Sequence, residues 1–163
     1  MPSEKELQKL IDFQAICRLK ALYCEIIDRY IPGNQPEDAA KLAEIWTEDA
    51  ELDFTNMGLG VTRGRAAIVE LFAKTLPITT SFSWHSIHSP IIDIDVDKAL
   101  GRWTISALTT RTSAPNGQTF GTFGRYRDEY RRENGVWRQS KLYFDAVRVG
   151  QQVPYMPKKS IAA

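Results

Sequence analysis

Ser81-Phe82-Ser83-Trp84-His85-Ser86-Ile87-His88-Ser89-Pro90-Ile91-Ile92-Asp93-Ile94-Asp95-Val96-Asp97 is the stretch where the hydrophobic period of the chain changes. Upstream, apolar residues recur at helical spacing. Within it, Ile92, Ile94 and Val96 alternate with Asp93, Asp95 and Asp97, the period-two pattern of a half-buried strand. The same stretch holds both histidines of the chain, His85 and His88. Histidine has the unperturbed pKa nearest neutrality, which makes it the first candidate for proton transfer.

Downstream the alternation continues. Trp103, Ile105, Ala107 and Thr109 oppose Arg102, Thr104 and Ser106 over residues 99–111. Ala114-Pro115-Asn116-Gly117 and Glu133-Asn134-Gly135 read as hairpin turns, which bound strands over about 118–132 and 136–149. Residues 150–163 carry two prolines and no period, and read as an extended arm after a single domain of residues 1–149.

Upstream, residues 4–31 read as a helix. At 100° per residue, Cys17, Ala21, Cys24 and Asp28 share one stripe, flanked by Ile16, Leu19, Tyr23, Ile26, Ile27 and Tyr30, with Arg18, Leu22, Glu25 and Arg29 opposite. Ile31–Pro36 is a break, and a second helix covers about 37–47. Thr47–Ala50 reads as a turn, Glu51–Thr55 as a short strand, Asn56–Gly64 as a glycine-rich loop, and Arg65–Lys74 as a helix that stops before Pro77. Helices followed by long antiparallel strands predict an α+β fold, in which a curved sheet and the helices across its open side form a cone around a cavity.

With 163 residues the chain has the length of one domain with a substantial core. A net charge of +1 with dispersed Lys and Arg points away from nucleic acid. No apolar run approaches the roughly 20 residues that span a bilayer, and the first residues lack a signal-peptide pattern, so the expected compartment is the cytoplasm. Cys17 and Cys24 stand about two helical turns, roughly 10 Å, apart, too far to bond one another.

His85 and His88 have opposite parity on a regular strand. Parity does not choose between them, because a bulge at Pro90 would reset the count. Asp28 is the natural partner for either: a carboxylate on a mostly apolar stripe needs a cation or a donor. The competing reading of Asp28 is a cap near the break at Pro32. Tyr23 lies about 140° around the helix from Asp28 and can border the same wide cavity; its plainer role is a core tyrosine. Tyr126, Asp128 and Tyr130 share parity on one strand and read as a cross-strand structural set. The sequence has no glycine-rich phosphate loop, nucleophile elbow or His-Glu-x-x-His motif, and no metal is assigned to the histidines.

The order of Leu22-Tyr23, Asp28, Ile45–Glu51, Arg63–Ile68, Trp84-His85, Ser89–Asp95, Ala99–Trp103, Tyr126–Tyr130 and Gly135–Trp137 resembles the SnoaL-like family of the nuclear-transport-factor-2-like superfamily. The pattern is closest to its dehydratase and dehydrochlorinase group, which includes scytalone dehydratase, bile acid 7α-dehydratase and hexachlorocyclohexane dehydrochlorinase. The resemblance implies a cone-shaped α+β barrel, catalysis without a cofactor, and a homo-oligomer, with a trimer favoured over a dimer. It also selects His85, which precedes the Ser89-Pro90 step by four residues, as the general base, with Asp28 and Tyr23 as its catalytic companions. Ala107, Leu142 and Ala146 replace polar residues of that group, which implies a more apolar cavity.

The implied activity is dehydratase-type elimination, or isomerisation, on a small apolar and hydroxylated ring compound. The implied walls are Leu52, Phe54, His88, Trp103, Ile105, Tyr126, Leu142 and Phe144. The alternative is a non-catalytic ligand-binding or assembly module like the β subunit of ring-hydroxylating dioxygenases.

Overall fold

The computed structural model describes residues 1–33, 36–114 and 117–153. Tyr30's side chain, Asn34-Gln35, the Pro115-Asn116 turn and the arm beyond Val153 lie outside the described residues.

Helix α1 (Glu4–Gly33) leads into α2 (Pro36–Ile45), β1 (Trp46–Phe54), a single 3₁₀ turn (Thr55–Met57) and β2 (Gly60–Arg63). Then come α3 (Arg65–Glu70), a π turn (Leu71–Thr75), α4 (Leu76–Thr79), and the long strands β3 (Thr80–Asp95), β4 (Lys98–Arg111), β5 (Thr119–Glu133) and β6 (Val136–Gln152). One six-stranded curved sheet results, in the order β2-β1-β6-β5-β4-β3. The α+β cone read from the sequence is present.

Several boundaries differ from the sequence reading. Residues 46–50 belong to β1 rather than to a helix end and a turn. Trp46, Thr47 and Ala50 are buried while Glu48 and Asp49 are exposed, and the register with β6 shifts between Trp46 and Glu51. An irregular strand of this kind carries no clean alternation. The expected loop 56–64 contains β2, which pairs antiparallel with β1 from Glu51↔Arg63 to Phe54↔Gly60. The third helical segment runs past Pro77, because Pro77 falls in the first turn of α4, where its missing donor costs nothing. The sheet is also not wholly antiparallel: β1 joins β6 in parallel.

Helix α1 lies on the concave face. Ile16, Tyr23, Ile26 and Ile27 are buried against Leu52, Trp103, Ile105, Tyr126, Leu142 and Phe144 of the sheet. Ala21, expected inside, is exposed. Two groups absent from the expected core are in it. Asp12 accepts bonds from Arg132 (2.7 Å) and from the Trp137 indole (3.1 Å). Lys20 is fully buried, with Nζ 2.8 Å from the Asp128 carboxylate and 4.0 Å from the centre of the Tyr126 ring.

Asp128 also accepts from the Tyr130 hydroxyl (2.8 Å), which in turn accepts from the Trp103 indole (3.2 Å). Burial pushes the Asp128 carboxyl up, and Lys20 with Tyr130 pulls it back. Gly101, paired with Asp128 across the ladder, has no side chain for a spatial reason. A Cβ there would stand 2.8 Å from the Tyr130 ring.

Removing one member of a buried ion pair strands the other charge in the core. Asp128→Leu is therefore expected to lower the unfolding free energy by about 3–5 kcal/mol, and the double variant Lys20→Met/Asp128→Leu to recover most of it. Urea unfolding checks this; a single variant as stable as the wild type would contradict a charged pair.

Candidate active site

The site starts from a fault in β3. Ser89 has a φ of +54°, and the ladder jumps from His88↔Thr104 to Ile91↔Arg102, so β3 carries one extra residue there. This bulge resolves the parity question. Ser83, His85 and Ile87 face inward before it, and Ile92 and Ile94 face inward after it. His88 points outward and is exposed, with only Ser89 Oγ near its ring, at 3.4 Å. The expectation that His88 binds substrate is corrected accordingly.

His85 meets Asp28 across the helix–sheet interface. The imidazole Nδ1 lies 2.6 Å from Asp28 Oδ1, and the backbone N–H of His85 donates to Asp28 Oδ2 at 2.6 Å. Ser83 Oγ donates to Asp28 Oδ1 at 3.2 Å. Asp28 is not a cap, since α1 continues beyond it to Gly33. Both side chains are largely shielded, at 14% and 16% exposure. With Nδ1 facing a carboxylate, the ring hydrogen belongs on Nδ1 and the lone pair on Nε2.

The imidazole forms part of the wall of a cavity of about 250 Å³. Tyr23 and Ile27 of α1, Phe54, Phe72, Ile105, Tyr126 and Phe144 make up most of its apolar wall. Ala107 pairs directly with His85 across the ladder, and its small side chain leaves space before the ring. A larger surface hollow of about 630 Å³ is lined by Asp49, Glu51, Asp95, Glu129, Arg131 and Lys141. Arg131 and Lys141 in that wall are already committed to the surface ion pairs with Asp49 and Glu51, which leaves the hollow with an excess of carboxylates.

Tyr23 is completely buried, packed edge-on against Trp46 (5.7 Å) and Phe72 (5.9 Å). Its hydroxyl has no hydrogen-bond partner among the described residues. The Tyr126 hydroxyl is near enough to offset part of the effect of burial on it. Burial pushes both phenols well above their ordinary pKa, so both stay protonated at neutral pH and serve as donors. An unsatisfied buried hydroxyl costs on the order of 1–3 kcal/mol.

Of the expected walls, Phe54, Ile105, Tyr126 and Phe144 line the cavity. Leu52, Trp103 and Leu142 do not; they are buried where Lys20 and the rest of α1 close down on the sheet. The sequence reading missed Met57 and Leu59, which lay in an apparent loop. It also missed Thr109, Arg111 and Thr122, although the inward parity of Ile105 and Ala107 extends to Thr109 and Arg111. Cys24 is buried, with its thiol pushed up to about 12, and is inert. Among the described residues no group of three or more His, Cys, Asp or Glu could hold a metal. No described helix is long and apolar enough to cross a membrane.

The Asp28–His85 pair thus stands beside a largely apolar cavity inside an α+β cone. The sequence matches the SnoaL-like domain over residues 8–143, and the chain belongs to that family. No curated protein matches it in sequence. Among solved structures it is similar to a type 2 hexachlorocyclohexane dehydrochlorinase (LinA), at 22% identity over 94% of this chain and 98% of that one, with a TM-score of 0.78. The type 3 dehydrochlorinase of Novosphingobium barchaimii LL02 is also 22% identical, over 93% and 98%, with a TM-score of 0.75. A protein of Novosphingobium aromaticivorans DSM 12444, provisionally named a scytalone dehydratase, is 18% identical over 91% and 97%, with a TM-score of 0.69. At these identities the likeness establishes the fold.

The pairing geometry has a spectroscopic consequence. Nitrogen NMR of the histidine side chains should show the neutral His85 ring with its hydrogen on Nδ1. Asp28→Asn should turn it into a mixture of tautomers. A wild-type ring carrying its hydrogen on Nε2 would contradict the arrangement.

Proposed function

We propose that the protein is a lyase of the dehydratase type acting on a small hydroxylated ring compound without a cofactor. The observation that supports this most directly is the Asp28–His85 pair beside a largely apolar cavity to whose wall Tyr23 also contributes. His85 Nε2 takes a proton from a carbon beside an activating group. The freed electron pair forms the carbon–carbon double bond as the neighbouring carbon–oxygen bond breaks. The departing hydroxide takes a proton from Tyr23 and leaves as water; the imidazolium proton then restores the phenol. Asp28 holds the ring in the required tautomer and stabilises its charged form. The same relay without a leaving group would shift a double bond. The dehydrochlorinase and dehydratase names carried by similar folds accord with proton abstraction followed by loss of a leaving group.

Positioned general bases contribute about 10²–10⁴-fold in rate. The protein is therefore expected to catalyse exchange of the acidic ring protons of 2-tetralone with D₂O, and His85→Gln and Asp28→Asn should each cut that exchange by about 100-fold or more while circular dichroism stays unchanged. No exchange above buffer, or exchange that survives His85→Gln, would sink the catalytic reading and favour a binding or assembly module.

We also propose that the chain forms a homotrimer. Phe82 and Trp84 on the outer face of β3 and Phe123 on that of β5 are exposed, with Val147 and Val149 exposed on β6. An apolar surface of this size on a sheet is suited to burial against another copy. Sedimentation equilibrium should give the mass of three chains, and Trp84→Glu should lower it; a monomeric wild type refutes the assembly.

A further inference from the structure

We infer that the cavity takes a ring-bearing monocarboxylate, whose carboxylate is held by Arg111 at the mouth. The inference rests on the reading of this cavity as the substrate site, and it adds the substrate's charge.

Arg111 is the last residue of β4 and is part of the cavity wall. Met57, Leu59, Thr79 and Arg111 are the exposed members of that wall, and Tyr23, Phe72, Tyr126 and Phe144 are buried. Arg111 therefore marks the mouth, and the tyrosines and phenylalanines mark the floor. Its backbone is held in place: Arg111 pairs with Thr80, and the next residue, Thr112, bonds to Thr79 O and Ile78 O, both at 3.0 Å.

The charge of the wall is one-sided. It contains one guanidinium and no carboxylate among the described residues. Eight of the twelve arginines, among them Arg63, Arg127 and Arg132, pair with carboxylates; Arg111, like Arg18, Arg125 and Arg148, has no such partner among the described residues, and of these four it alone is in the cavity wall. A lone guanidinium on a mostly apolar wall favours an anion, and its planar fork matches a carboxylate with two parallel hydrogen bonds. One fixed cation suits a single negative charge. Thr109 and Thr80 beside it supply further hydroxyls.

Size and spacing limit the rest of the molecule. An engineered cavity of about 150 Å³ holds benzene, so 250 Å³ has space for one substituted ring or two fused ones. Ala107, which faces His85, and Arg111 are four residues apart on β4, about 13 Å at the strand's rise. A ring can therefore reach His85 while its carboxylate stays near Arg111.

Calorimetric titration with 2-naphthoate and uncharged 2-naphthol tests this on the full chain. The wild type should bind the carboxylate about tenfold or more tightly than the phenol. Arg111→Gln should erase that margin and leave the affinity for 2-naphthol unchanged. His85→Gln should preserve the margin. Equal affinities in the wild type, a margin that survives Arg111→Gln, a margin lost in His85→Gln, or no binding of either probe at millimolar concentration would overturn the inference. Only affinity is read, so failure of the lyase chemistry would leave these outcomes intact, and failure here would leave the lyase chemistry standing.

Discussion

The seating of α1 on the concave sheet is the constraint on which the rest depends. Apolar contact alone would tolerate rotation or sliding of a long helix, because it is non-directional. Three polar residues on α1 remove that freedom. Asp12 bonds to Arg132 and Trp137 at one end of the sheet, Lys20 pairs with Asp128 in the middle, and Asp28 bonds to His85 on β3. They are spaced eight residues apart, so each marks a separate level along the helix. A slip of one turn would strand all three in the core, where unpaired charges cost several kcal/mol each.

That seating also makes the cavity. At the level of Lys20 and Asp128 the helix fills the cone down to the sheet, and Leu52, Trp103 and Leu142 are packed solid. Beyond Tyr23 the space between α1 and the strands stays open, with Ala107 opposite His85 keeping it so. The 3₁₀ turn after β1 and the π turn before α4 bring Met57 and Phe72 in as further walls. The protonated phenols, the oriented imidazole, the single guanidinium and a few Ser and Thr hydroxyls are then the polar features of a mostly apolar wall. The buried phenols and the shielded imidazole are worth more there than in water because little solvent competes.

The fold was largely legible because period-two and period-3.6 patterns report burial directly. Alternation along 92–97 and 99–111, and the glycine-marked turns, locate β3 to β6. The dyad was half legible. Asp28 stood out as a carboxylate on a buried stripe, but the choice between His85 and His88 depended on whether Ser89-Pro90 bulges. The bulge is a backbone event set by pairing with β4. Lys20 escaped notice because a lysine on a helix reads as a solvated residue unless its partner, more than a hundred residues away, is known.

The sequence by itself determined the order of helices and strands, the apolar faces that pack together, and the candidate status of Asp28, His85 and Tyr23, because these follow from local periodicity and residue chemistry. Only the tertiary structure decided which histidine faces inward, that Lys20 and Asp128 share the core, that Leu52, Trp103 and Leu142 lie below the cavity and not in its wall, and that Arg111 stands at the mouth. The physical reason is common to all four. Each depends on strand register and on the height at which α1 meets the sheet. These are long-range quantities set by many weak contacts acting together.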